Sequence, residues 1–181
     1  MVSELQKRKW TTLFAVFDAN NNGVLDQKDF EQFVQRLAQV RGWQPGSLEY
    51  SNIHDKQLLY WKRVQEAADK NGDEKVTLEE WLEYHEQLLS AANKYNEIES
   101  LGSAVFDLFN PDGKEKMTAE KWEELFVTCN IPRVYVKYTF PQLDLNGDGI
   151  LSKDEVLQLI SEFYLSDDPN APGNLLFGPH I

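Results

Sequence analysis

The 181-residue chain sets 18 lysines and arginines against 30 aspartates and glutamates, a formal net charge of −12. That acidity disfavours nucleic acid and anionic membrane surfaces as partners. The single cysteine, Cys129, excludes an internal disulfide, and the start Met1-Val2-Ser3-Glu4 offers neither an apolar signal core nor a glycine for acylation, so a cytoplasmic protein without a lipid or spanning anchor is expected.

A first helix is predicted over residues 3–17, with Lys7-Arg8-Lys9 read as a solvated face. It leads into a twelve-residue segment in which Asp18, Asn20, Asn22, the Val24 carbonyl, Asp26 and Asp29 fall at positions 1, 3, 5, 7, 9 and 12, with Gly23 at position 6. Calcium is a hard cation that takes six to eight oxygens, and this spacing supplies oxygens alone. A second helix over 27–40 meets a stop at Arg41-Gly42, and Gly42-Trp43-Gln44-Pro45-Gly46 then breaks the chain.

Helix three is predicted over 48–68, and the same ruler laid after it finds Asp69, Asn71, Asp73, the Lys75 carbonyl, Thr77 and Glu80 at the six positions. Position 6 is Glu74 here. A positive φ on a non-glycine residue costs on the order of 1 kcal/mol, small beside roughly 8 kcal/mol for a micromolar site. Helix four follows over 78–90, and 91–97 reads as a hinge into a fifth helix that reaches Phe109.

Position 8 carries an apolar residue, Leu25 and Val76 in the first two loops, and Met117 is the counterpart in a third. That frame puts Asn110 at position 1, Asp112 at 3, Lys114 at 5, Thr118 at 9 and Lys121 at 12. Ammonium groups in place of carboxylates oppose a divalent cation and offer no acceptor, so this loop is expected to stay metal-free, its lysines pairing with Asp112 or Glu115. Helix six is predicted over 119–129, and Ile131-Pro132 opens the seventh with proline in its first turn.

The fourth loop has the fullest set: Asp144, Asn146, Asp148, the Ile150 carbonyl, Ser152 and Glu155 around Gly149, with Leu151 at position 8. An eighth helix over 153–164 precedes a tail that Pro169, Pro172 and Pro179 should keep non-helical. Aromatic and aliphatic residues at fixed offsets support the frame. Phe14 and Phe17, Phe106 and Phe109, and Phe140 and Leu143 enter loops one, three and four on one helical face, while Phe30, Trp81, Trp122 and Val156 leave at position 13.

Four helix-loop-helix units of this kind are EF-hands. The expected fold is all-α, with hands one and two paired in residues 1–92, hands three and four in 93–165, short β-bridges between paired loops, and a tail at 166–181. Three calcium sites are expected, at 18–29, 69–80 and 144–155. Asp29 has a shorter arm than glutamate, so loop one should accept six-coordinate magnesium more readily than loop four. No catalytic constellation is present.

The long connection between hands one and two, the Glu74-type loop followed by Glu79-Glu80-Trp81, and the closing Leu176-Phe177-Gly178 resemble the sarcoplasmic calcium-binding protein family, with its calexcitin and calerythrin relatives. The resemblance implies two lobes packed face to face with the tail tucked between them, burying Leu175, Leu176, Phe177 and Ile181. A sensor exposes a methionine-rich groove, whereas this chain has only Met1 and Met117 beside five tryptophans, seven tyrosines and ten phenylalanines. A monomeric intracellular calcium buffer is the expected function. The alternative is a sensor that changes conformation and binds a protein partner, through movement near 42–51 or Asn93. A remoter one is a luciferin-binding or photoprotein-like chain with His54, His85 and His180 in a cavity.

Overall fold

The Ser3 hydroxyl accepts a hydrogen bond from the Gln6 amide while the Gln6 side-chain oxygen accepts one from the Ser3 amide, a reciprocal cap that starts α1 (Glu4–Phe17). The computed structural model describes residues 2–110 and 116–179. Within them follow α2 (Gln27–Arg41), α3 (Leu48–Ala68), α4 (Leu78–Ser90), α5 (Lys94–Phe109), α6 (Ala119–Thr128), α7 (Val136–Leu143) and α8 (Lys153–Leu165). The starts of α2, α4 and α8 share one device. Asp26, Thr77 and Ser152 cap them, reciprocated by Asp29, Glu80 and Glu155. Loop positions 9 and 12 are therefore also the first capping pair of the exiting helix.

Strand β1 (Val24–Leu25) runs antiparallel to β2 (Val76–Thr77), with Leu25 opposite Val76. Met117 bridges Leu151 in the same sense, the Leu151 amide donating to the Met117 carbonyl at 2.8 Å. The position 8 frame thus pairs loop one with two and loop three with four, as expected.

The residues placed at offsets around the loops lie in a continuous core. Phe30, Trp81, Trp122 and Val156 are each 1% exposed or less. One apolar cluster joins Trp10, Phe30 and Trp81 to Phe126, Phe163 and the tail residues Leu176 and Phe177, so the two halves share their interior. Leu176 and Phe177 each contribute about 1.5–3 kcal/mol of burial before ordering entropy is subtracted. Leu175 is half-buried, and Ile181 lies outside the described residues. Between α5 and α8 the approach is close enough that a Cβ on Gly102 would stand 2.5 Å from the Ile160 side chain. Trp81 ties α4 to α1 by donating from Nε1 to the Trp10 carbonyl at 3.0 Å. Arg41, at the end of α2, sets Nε 2.7 Å from Glu124 Oε2 on α6 and donates to the Phe109 carbonyl at 3.0 Å.

Four expectations need correction. Lys9 is not on a solvated face: it is 0% exposed, and Nζ donates to the Glu162 carbonyl at 3.2 Å, the Ser166 carbonyl at 2.9 Å and Asn174 Oδ1 at 3.0 Å. A charge run cannot reveal that carbonyls at the end of α8, that of Glu162, which also accepts the Ser166 amide, and that of the capping Ser166, recruit one of its members. The proposed hinge over 91–97 is mostly helix, because α5 already begins at Lys94. Pro132 does not lie in the first turn of the seventh helix but caps a 3₁₀ turn, Arg133–Tyr135, ahead of α7. The tail is not wholly non-helical either: Pro172 opens a 3₁₀ turn, Pro172–Leu175, since proline's fixed φ suits a first turn.

Candidate metal sites

Each of the three carboxylate-rich loops folds around its first aspartate. In loop one Asp18 accepts from the Asn22 amide at 3.0 Å and the Gly23 amide at 2.9 Å. In loop two Asp69 accepts from Gly72 at 2.7 Å and Glu74 at 3.0 Å. In loop four Asp144 accepts from Gly147 at 2.9 Å, Asp148 at 3.2 Å and Gly149 at 2.8 Å. The shared bond runs from the position 6 amide to the position 1 carboxylate, and a left-handed residue at position 6 is what aims that amide inward. Gly23 and Gly149 have φ of 83° and 84°, and Glu74 adopts φ 64° at the same place.

The sequence reading missed a second left-handed position. Asn21, Gly72 and Gly147, all at position 4, have φ of 56°, 74° and 73°. Their identities carry the signal, because glycine and asparagine are the residues that enter this region most readily.

Position 5 and position 3 side chains order the rest of the turn. Asn71 and Asn146 accept from the Asp73 and Asp148 amides at 2.8 Å, and Asp73 and Asp148 accept from Lys75 and Ile150 at 3.0 Å. In loop one Asn22 accepts from Val24 at 3.0 Å, and Asp26 from Lys28 at 2.8 Å.

Position 12 separates the loops. Glu80 Oε2 accepts from the Thr77 amide and hydroxyl, both at 2.9 Å, and Oε1 reaches the Lys70 amide at 3.3 Å. Glu155 does the same with Ser152 at 2.9 and 2.8 Å, and Oε1 takes the Leu145 and Asn146 amides at 3.0 and 3.2 Å. Asp29 is one methylene shorter. Its Oδ2 accepts from Asp26 at 2.9 Å, but its Oδ1 reaches only the Asn20 side-chain amide, at 2.8 Å.

These contacts set the charge states. Hydrogen bonds from Thr77 outweigh burial and hold the Glu80 carboxyl below its ordinary value. Burial opposes ionisation of Glu155, yet the amides and hydroxyl around it prevail and lower its pKa. Asp29, 1% exposed, is pushed up by burial.

The donor chemistry suits a hard cation: each loop offers three carboxylates, with side-chain amide oxygens, backbone carbonyls and, in loops two and four, a hydroxyl. Among the described residues no three acidic, histidine or cysteine side chains are gathered as a ready cage. Each carboxylate is instead satisfied by separate loop amides. Of the third loop, 111–115 lie outside the described residues, so the suggested pairing of lysines with Asp112 or Glu115 does too. Lys121 sets Nζ 3.3 Å from Glu124 Oε1.

Paired loops, capped exit helices and bridged position 8 residues define an EF-hand protein. The description "EF-hand domain pair" matches residues 7–86, and "EF hand" matches 136–160. Calerythrin of Saccharopolyspora erythraea is 24% identical over 156 residues, covering 83% of this chain and 87% of its own. The amphioxus sarcoplasmic calcium-binding protein superposes with a TM-score of 0.78 at 18% identity, over 98% of both chains. The coelenterazine-binding protein of Renilla muelleri superposes with 0.77 at 17% identity, also over 98% of both. The chain is a calcium-binding EF-hand protein of the sarcoplasmic calcium-binding protein and calerythrin type. Among the described residues no helix is long and apolar enough to cross a membrane.

Proposed function

We propose that the protein is a cytoplasmic, monomeric calcium buffer with three competent sites, at loops 18–29, 69–80 and 144–155. Its units are the hand pairs 1–92 and 93–165 and the tail 166–181. The ligands are Asp18, Asn20, Asn22, Val24, Asp26 and Asp29; Asp69, Asn71, Asp73, Lys75, Thr77 and Glu80; and Asp144, Asn146, Asp148, Ile150, Ser152 and Glu155. The carrying observation is that position 1 accepts the position 6 amide in all three loops at 2.8–3.0 Å. A buffer needs no surface for a target. In keeping with this, the apolar faces of both hand pairs and Leu176 of the tail lie in one shared core, and Met117 is buried.

Loop one is the magnesium-tolerant site, because Asp29 spans less of its loop than Glu80 or Glu155. Calorimetric calcium titration with and without millimolar magnesium tests both parts, with a hydrophobic dye reporting exposed surface. Three sites, little dye binding and one site selectively weakened by magnesium support the buffer. Strong calcium-dependent dye binding favours the sensor, and uniform magnesium competition removes the assignment to loop one.

A further inference from the structure

A cavity of about 290 Å³ lies between α3 and α5, with Leu13, Leu125, Ile160, Tyr164 and Phe177 in its walls. Its volume is near the lower bound for small-molecule pockets. The mouth is marked by exposed residues: Lys56, Leu59 and Arg63 of α3, and Ala104 of α5. Lys56, Leu59, Tyr60 and Arg63 recur at helical spacing and form one stripe, and Leu59 is 53% exposed on it.

The charge at that mouth runs against the rest of the protein. Lys56 and Arg63 make no ion pair with any described residue, and the one acid in the cavity lining, Asp107, is engaged by Lys153 at 3.3 Å. An apolar cavity thus opens under two cations that have no ion-pair partner among the described residues, in a chain of net charge −12.

We propose that this cavity binds an amphipathic carboxylate of medium-chain fatty acid size, its alkyl chain running inward towards Phe177 and its head group held by Lys56 and Arg63. A neutral apolar ligand would leave the cations without a role. The tail residue Phe177 is part of the wall, so occupancy is coupled to tail docking.

Calorimetric titration of the calcium-loaded full chain with octanoate, decanoate and decan-1-ol tests this. One saturable site is expected, tightening about threefold to fourfold per added methylene, with decanoate bound more tightly than decan-1-ol. The double variant K56Q/R63Q should lose that preference, weakening decanoate about fivefold or more, while decan-1-ol is unchanged. Ala104→Phe, at an exposed position that should leave folding intact, should block both. Absence of saturable binding overturns the proposal, as does equal affinity for acid and alcohol, or binding indifferent to both variants. Binding of coelenterazine without decanoate would reassign the cavity to a neutral luciferin and overturn it as well.

Discussion

Lys9 Nζ and Asn174 Oδ1 stand 3.0 Å apart, joining the first helix to the tail across nearly the whole length of the chain. The same ammonium holds the Glu162 and Ser166 carbonyls, so one side chain fastens α1, the end of α8 and the tail together. Replacing Lys9 by Met leaves three oxygens without this donor, and a loss of about 1–3 kcal/mol is expected from urea unfolding in calcium. Burial lowers the Lys9 pKa from 10.5 to about 8, against the opposing influence of Asp167 and Glu162. Its folded value is depressed, so the cost of its charge is present below about pH 8 and relieved as pH rises towards 10.5. The advantage of the wild type over K9M should grow across that window; a constant difference would contradict the burial of a charged Lys9.

Gly173 docks the tail. A Cβ there would lie 2.3 Å from the Leu159 carbonyl and 2.6 Å from the Glu162 side chain, and backbone cannot yield as a flexible side chain can. Gly173→Ala should displace the tail, expose Phe177 to a hydrophobic dye and cost about 1–3 kcal/mol. Unchanged dye binding and stability would mean that the tail does not sit against α8 in solution.

Glu155→Gln tests the fourth loop. The carboxylate gives one oxygen to Ser152 and the other to the Leu145 and Asn146 amides, and the amide substitution removes both charge and an acceptor. Calcium affinity at one site should fall about tenfold or more, about 1.4 kcal/mol, with the other two sites retained. An unaltered calorimetric isotherm would remove Glu155 from the ligand set.

His85 should make the protein sensitive to acid. It is 1% exposed, its ring 4.3 Å from Trp81 and 5.6 Å from Tyr164 between centroids. Burial lowers its pKa to about 4, outweighing the hydrogen bond to the Trp81 carbonyl. The unfolded chain therefore takes up a proton near pH 6.5 that the folded one refuses until about 4, and up to roughly 3 kcal/mol of stability is lost as pH falls through that window. His85→Phe should flatten the profile between pH 6.5 and 4. An equally steep profile in the variant would place the acid sensitivity elsewhere.

The helices and their loops were legible because their signals are local. Gly42 ends α2 in the left-handed region as its position implied, and the residues that read as loop positions 9 and 12 are the capping pairs that start α2, α4 and α8. The pairing of Leu25 with Val76 and of Met117 with Leu151 followed from a fixed offset within each loop. His85 was less legible. Its own helix supplies Trp81 and Tyr84 beside it, but nothing near it in sequence tells of the Trp10 and Tyr164 rings, which come from α1 and α8.

Order along twelve residues sufficed to place oxygens, turns and helix starts, because a loop closed on its own amides needs no distant partner. Lys9 inside the protein, the cavity between α3 and α5 and the seat of the tail under Gly173 were decided only when segments remote in the chain came together. A helix end chooses its donor by proximity in space, and proximity between α1 and α8 is written in no short stretch of residues.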